Sequence, residues 1–500
     1  MLFENSLTEE QEKILRTSGD LLVIAGPGTG KTYTLLRKIK TLIEQGISPY
    51  KIYLLTFSLR TSQELKEKAL ELGLEGIKID TFHGLAYDLY REYYQKEPLL
   101  ISEKEKLSIL KKLFPKEKNP LKDSEKKKEY FQYLKKNHIL DFDLLLMEVA
   151  SFIRPEAFLD YYLLIDEFQD LSPEILEFLK PFKSATWILF GDPNQSIYGF
   201  RGVDLKKIKD FLLNYKPQMK ILTLRESFRC ATEIIKAANN FRGSPWQIPE
   251  LKAKKFGGSI QGFLFPETFE ERDFLGNFIK NLLGGITLER ARPSAISPSD
   301  IFILSRIKKV YEPLIEHLQK EGIPVALPEE EALVIKEQLL QLVEKVKIFK
   351  IPFEKLLEET STFLKNYLQN LATLFKEDLS KFLFYLDNLS PEDLTFPKLE
   401  GINFLTIHAS KGLEAEVVIL YGAEEGLIPF TLFNDYDFEE EKRILYVAIT
   451  RAKNHFYFTA TKNRKVFNFE LQKGLSTWLK ELPYKEFQKK TKRPKQRGLF

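Results

Sequence analysis

Three short segments carry residue types able to act on a phosphate ester, and each follows an apolar run. The first is Gly26, Pro27, Gly28, Thr29, Gly30, Lys31 and Thr32, directly after the apolar stretch 21–25. Glycines let the backbone fold so that its N–H groups and the amino end of the next helix surround a phosphate. Lys31 would then reach the β and γ oxygens, and the Thr32 hydroxyl would ligate Mg²⁺. Ala25 stands where the common pattern has its first glycine, so this motif alone leaves a structural glycine turn open. The second segment is the carboxylate pair Asp166 and Glu167 after the apolar run 163–165. One carboxylate there could cap a helix. Two in succession suit a division of labour in which Asp166 holds the Mg²⁺ shell and Glu167 takes the proton from an attacking water. The third is Gly191, Asp192, Pro193, Asn194 and Gln195 after the run 188–190, where the Gln195 amide could orient that water and sense hydrolysis. Taken alone, that segment is also ordinary turn chemistry.

Strands must hold these groups in place. The runs 21–25, 52–57, 77–82, 161–165 and 187–190 read as buried strands separated by helical stretches, the pattern of a parallel α/β sheet. A second set at 221–224, 262–265, 301–304, 402–407, 417–420 and 455–459 predicts a second sheet. Two stretches break the alternation. Residues 91–157 are lysine-rich and helical in texture, with Lys104, Lys106, Lys111, Lys112, Lys116, Lys118, Lys126, Lys127 and Lys128 close together, which fits either a solvated helical cover or a nucleic-acid contact surface. Residues 328–397 carry apolar positions at helical spacing over 334–349 and 363–384. The expected organisation is a first domain from 1–90 and 158–217 with a helical insertion at 91–157. A second domain from 218–327 and 398–482 carries a second helical insertion at 328–397, and a basic flexible tail follows at 483–500.

Composition narrows the class further. The 500 residues are 43% hydrophobic and 29% charged, enough to bury several cores, and 75 basic against 71 acidic side chains leave a net charge of only +4. Attraction to nucleic acid therefore has to come from local concentration of charge. A single cysteine, Cys230, excludes an intramolecular disulfide and a cysteine-based zinc site. The acidic, mixed start and the lack of a long apolar run predict a cytoplasmic chain with no membrane partner.

The ordered set of motifs resembles the UvrD/Rep/PcrA group of superfamily 1 DNA helicases. Besides the segments above, it comprises Leu7-Thr8-Glu9-Glu10-Gln11, Thr56-Phe57-Ser58, Thr81-Phe82-His83-Gly84 and Asp166-Glu167-Phe168-Gln169-Asp170. It continues through Gly191 to Gly202, Glu226-Ser227-Phe228-Arg229, Thr406 to Glu414, and Leu445 to Ala452. The resemblance implies two RecA-like motor domains with P-loop chemistry, ATP and Mg²⁺ as fuel, and movement 3′ to 5′ on single-stranded DNA with unwinding at single-strand/duplex junctions. By the same resemblance Gln11 would read the adenine edge, Phe228 would stack on the base and Glu414 would contact the ribose. Arg229 and Arg451 would reach the γ-phosphate as arginine fingers. Phe57, His83, Tyr198, Phe200, Thr406 and His408 fall where the family lines its single-strand channel, and aromatic stacking there would tolerate any base.

The chain also departs from the pattern. Tyr33 follows Thr32 where an arginine is usual, Phe200 stands for a tryptophan and Arg60 for a lysine. The shortened insertion at 328–397 keeps open a translocase that strips proteins from single strands with little unwinding; a second alternative, a scaffold that holds DNA in the channel and a clamp by its tail without catalysis, is opposed by the presence of Lys31, Asp166, Glu167, Gln195, Arg229 and Arg451. The end of the chain, with Gln496, Leu499 and Phe500, resembles a sliding-clamp-binding peptide.

Overall fold

The computed structural model describes residues 7–284, 296–349, 378–389, 391–398, 400–433 and 436–488. It divides into two compact units. Unit 1 is Met1–Arg225 with Ser244–Pro249 and Glu329–Thr395, and unit 2 is Glu226–Gly243, Glu250–Pro328 and Phe396–Phe500. The expected clamp-binding residues Gln496, Leu499 and Phe500 lie outside the described residues.

Unit 1 is built on six strands: β1 Leu21–Ala25, β2 Ile52–Thr56, β3 Lys78–Thr81, β4 Tyr162–Ile165, β5 Thr186–Gly191 and β6 Lys220–Leu224. They pair in the order β3-β2-β4-β5-β1-β6, every pair parallel. The continuous apolar runs follow from burial on both faces. Because side chains alternate along a strand, Leu21, Val23 and Ala25 enter one core with Leu54, Leu164 and Phe190, while Leu22 and Ile24 enter another with Leu55, Ile165 and Trp187. The strand at 220–224 corrects the sequence reading, which opened the second sheet with it. It completes the first instead, pairing residue for residue with β1 from Leu21↔Lys220 to Ala25↔Leu224.

Four helices bear on the site: α1 Glu9–Arg16, α2 Lys31–Glu44, α3 Leu59–Glu71 and α4 Phe82–Tyr94. The hydroxyls of Ser58 and Thr81 cap α3 and α4 by accepting from Thr61 N–H and Gly84 N–H. Residues 91–157 contribute helices Glu103–Leu113, Ser124–Lys136 and Phe142–Phe152. Several of their lysines are answered locally: Lys106 by Asp141 at 3.0 Å, Lys126 by Glu117 at 2.6 Å, Lys128 by Glu125 at 2.8 Å and Lys127 by Glu174.

Of the segment read as an insertion in the second domain, the described residues 329–349, 378–389 and 391–395 belong to unit 1. On helix Leu379–Asn388, Lys381 Nζ lies 2.8 Å from Asp80 and 2.6 Å from Asp88, and the Tyr385 hydroxyl donates to Asp80. Phe384 packs on Tyr87 and Phe142, and the Arg60 guanidinium donates to Thr395 O at 2.9 Å. Asp80 and Thr81 close β3, so this segment is anchored to the strand ends that carry Phe57 and His83.

Unit 2 is an eight-stranded sheet. Its path is β11 Val325–Ala326, β12 Ile402–Thr406, β10 Ile301–Ser305, β13 Ala415–Tyr421, β14 Ala452–Val466, β9 Ser259–Glu267 and β16 Tyr484–Glu486, with β15 Phe469–Leu471 antiparallel on β14. The pairs along that path are parallel. A separate parallel ribbon joins β7 Glu226–Ala231 to β8 Lys252–Lys255. Among the described residues no helix is long and apolar enough to cross a membrane.

Candidate active site

All strands of the first sheet run the same way, so the residues that follow β1, β2, β3, β4 and β5 emerge at one edge. After β1, Gly28 and Gly30 take positive φ values of 69° and 77°, where a Cβ is unfavourable, and α2 begins at Lys31. Ala25 needs no such freedom. It is the last residue of β1, paired with Leu224, so an alanine serves where the common pattern has glycine. The Thr29 hydroxyl donates to Gly26 O at 2.8 Å and braces the turn. Gly30 caps α2 without a side-chain bond, which leaves first-turn N–H groups free of a side-chain partner. Gln11 is buried beside this turn. Its Oε1 accepts from Thr8 N–H at 3.0 Å in a capping box, and a Cβ on Gly30 would come within 2.8 Å of its Nε2.

Lys31 Nζ contacts Glu167 Oε1 and lies 3.3 Å from Asp166 Oδ1. Burial pulls the Lys31 ammonium towards deprotonation, but the two carboxylates outweigh it and its pKa is raised. Burial pushes the Asp166 carboxyl up, with Lys31 opposing and the charge on Glu167 adding. Glu167 has left-handed backbone, φ 58°, an uncommon conformation for a residue with a Cβ. Asp166 and Thr32 offer hard oxygen donors, the type that Mg²⁺ takes. Among the described residues no group of three or more His, Cys, Asp or Glu is placed to hold a metal.

β5 lies between β4 and β1, which puts its outgoing segment beside both sites. Asp192 is buried, and its Oδ2 accepts from Gln195 Nε2 at 3.0 Å. Further along, Phe200 is 56% exposed, its ring edge-on to Tyr198 with Arg201 over both rings. Phe57 is half-buried against Phe82, and His83 packs on Phe142. Among the described residues His83 Nε2 is buried without a hydrogen-bond partner, and burial lowers the imidazole pKa to about 4, so the ring is neutral.

In unit 2, Thr406 ends β12, and the chain then runs through His408 to Glu414, just before β13. Thr406 Oγ1 accepts from Ala409 N–H at 3.2 Å. Glu414 pairs with Arg229 of β7, and with Lys453 at 3.1 Å. Arg451 is buried beside them, donating to Val447 O at 3.1 Å and Leu413 O at 3.0 Å. Burial first, then the charge on Arg229, lowers its pKa to about 10. Phe228 is 51% exposed. Thus Arg229, Arg451 and Glu414 form one cluster within unit 2, while Lys31, Asp166, Glu167 and Gln195 form another within unit 1. The sequence reading gave no role to Gln169 or Asp192. Both sit inside the motifs it used, but their contacts span 23 residues of chain between Gln169 and Asp192.

The UvrD/REP helicase N-terminal domain model matches residues 7–128 and 103–216, and the UvrD-like helicase C-terminal domain model matches 329–463. The ATP-dependent DNA helicase PcrA of Staphylococcus epidermidis is 26% identical over an alignment of 635 positions that covers 96% of this chain and 87% of that protein. PcrA of Staphylococcus aureus is 25% identical over 634 positions with the same coverage. These alignments are longer than the 500 residues here, so the relatives carry segments that this chain lacks. With two RecA-like α/β sheets and both halves matched, the chain belongs to the UvrD/Rep/PcrA-like superfamily 1 helicases.

Proposed function

We propose that this protein is an ATP-dependent DNA helicase that moves 3′ to 5′ on a single strand and unwinds the duplex ahead of it. The observation that carries the reading is the contact of Lys31 with Glu167 and Asp166, beside a glycine turn that opens α2. Lys31 and the α2 amino end hold the triphosphate, Gln11 and Phe228 hold the base, and Glu414 holds the ribose. Glu167 takes a proton from the attacking water, which Gln195 orients. Arg229 and Arg451 stabilise the charge that grows on the transferred phosphoryl group. Thr32 and Asp166 would hold Mg²⁺, which supplies charge neutralisation at the phosphates when bound. Lys31 pairs with Glu167, so an ammonium that turned to a phosphate would release the carboxylate to act as base.

For the strand, Phe57, His83, Tyr198, Phe200, Thr406 and His408 are the proposed contacts. Phe200 and Tyr198 are the readiest stacking faces, worth about 1–3 kcal/mol per base. Opening a base-pair step opposes motion by only about 1.4 kcal/mol on average, so stepping along one strand suffices to displace its complement. The test is ATP turnover with and without single-stranded DNA in the unmodified protein and in Lys31→Ala. Turnover that rises with the strand and vanishes in the variant supports the reading. Turnover unaffected by either change rejects it.

A further inference from the structure

The candidate base Glu167 is held from two sides. Lys31 takes Oε1, and the Gln169 amide donates to Oε2 at 2.5 Å. Gln169 is fully buried, and its own Oε1 accepts the Asp192 N–H at 3.0 Å. This contact fixes the sense of the amide. A backbone N–H can only donate, so the carbonyl end must face Asp192 and the NH₂ end is left for the carboxylate. The Gln169 main-chain O accepts from the Ser196 hydroxyl at 3.0 Å, so one residue is bonded to both ends of the segment 192–196.

Two further features serve the same arrangement. Glu167 keeps a left-handed backbone, which is uncommon for a residue with a Cβ and persists where surrounding bonds over-determine it. A Cβ added to Gly191 would meet Gln169 Oε1 at 2.2 Å and Phe168 Cδ1 at 2.7 Å, so glycine is needed there for close approach. From Asp192 the bonding continues to Gln195 Nε2, and two residues past Ser196 the chain reaches Tyr198. A chain of hydrogen bonds thus runs Lys31, Glu167, Gln169, Asp192, Gln195, all within unit 1.

We propose that Gln169 is a positioning residue that ties Glu167 to the segment carrying Gln195 and the exposed aromatics, so that a strand bound at those aromatics sets the carboxylate for hydrolysis. The proposal rests on the function proposed above and assigns it a transmitting side chain. Gln169 is fully buried, so its part in this reading runs through Glu167 and Asp192. Its amide bonds both the candidate base and the backbone leaving β5.

The experiment measures ATP turnover against single-stranded DNA concentration, together with separate nucleotide and strand affinities, for the unmodified protein, Gln169→Leu, Gln169→Glu, Gln195→Ala and the double variant. Gln169→Leu is expected to lower strand-stimulated turnover about tenfold or more, while the half-saturating strand concentration and the nucleotide affinity each stay within about threefold. A merely structural role would instead shift affinities and melting temperature without singling out the stimulation. Gln169→Glu is nearly isosteric and keeps an acceptor for Asp192 N–H, and the melting temperature of each variant shows whether it is folded. It presents a carboxylate to Glu167 and is expected to lose stimulation equally. With Gln195→Ala the losses should be less than multiplicative, because both side chains belong to one chain of bonds. Stimulation retained within about threefold in Gln169→Glu, or strictly multiplicative losses, overturns the proposal. An unmodified protein that hydrolyses no ATP on DNA defeats the functional reading itself, before any variant is compared.

Discussion

Lys381→Met probes the packing of residues 378–395 on unit 1, which sequence alone did not indicate. Lys381 bridges Asp80, which is buried, and Asp88, which is half-buried. Removing the ammonium leaves Asp88 with its partner Lys78, and leaves Asp80 with the Tyr385 hydroxyl and Thr81 N–H at 2.7 Å. Breaking a buried pair by deleting one partner costs about 3–5 kcal/mol when the other charge is stranded. The residual hydrogen bonds on Asp80 put this case at the lower end, about 2–3 kcal/mol. The assay is urea unfolding followed by tryptophan emission, read beside hydrogen exchange of α4 and of helix 379–388. The midpoint should fall, and amides of both elements should exchange faster, since the shared anchor is weakened. Asp80→Asn added to Lys381→Met should recover part of the loss by removing the stranded charge. An unchanged midpoint with unchanged exchange in both elements would refute the reasoning, as would a double variant that loses the two effects additively.

Glu167→Gln should retain nucleotide binding while strand-stimulated turnover falls by at least about a hundredfold, checked by nucleotide titration beside steady-state hydrolysis. Arg451→Lys should lower turnover without mending it through charge, because the lysine cannot reproduce the donors to Val447 O and Leu413 O, and steady-state kinetics would show it. His83 predicts a pH effect of definite sign. Its pKa is about 4 when folded against 6.5 when free, so below 6.5 the unfolded chain takes up a proton that the folded chain refuses, and stability drops as pH falls from 6.5 towards 4. Asp141, Glu174 and Lys106 surround it, and the window is worth up to about 3 kcal/mol. His83→Gln should flatten the dependence of the urea midpoint over that range. Phe200→Ala should weaken single-strand binding by about 1–3 kcal/mol, with no effect on nucleotide affinity, by fluorescence titration.

The residues proposed for the nucleotide site were legible because type, spacing and position after an apolar run all pointed one way. Gly28, Lys31, Asp166 and Glu167 each sit at a strand end, and parallel pairing brings those ends to one edge. What was not legible depends on partners distant in sequence. The run at 220–224 is apolar enough for either sheet, and only pairing with β1 decides between them. Helical spacing over 363–384 predicts a helix, of which 363–377 lie outside the described residues, whereas the salt bridges of Lys381 say what helix Leu379–Asn388 packs on. Gln169 lies in a motif that was read for its carboxylates, and its importance follows from Asp192, which a sequence pattern does not connect to it. His83 likewise reads as a polar residue next to a strand end, and its burial against Phe142 depends on helix 142–152.

The most direct test of the account is strand displacement by the purified protein on two duplexes that differ only in carrying a 3′ or a 5′ single-stranded tail, each with ATP, with a non-hydrolysable analogue, or with Lys31→Ala replacing the unmodified protein. The account predicts displacement of the 3′-tailed duplex with ATP alone, and none with the analogue or the variant. Displacement that proceeds equally with the analogue, or that Lys31→Ala retains in full, would contradict the claim that triphosphate hydrolysis at Lys31 and Glu167 drives the strand.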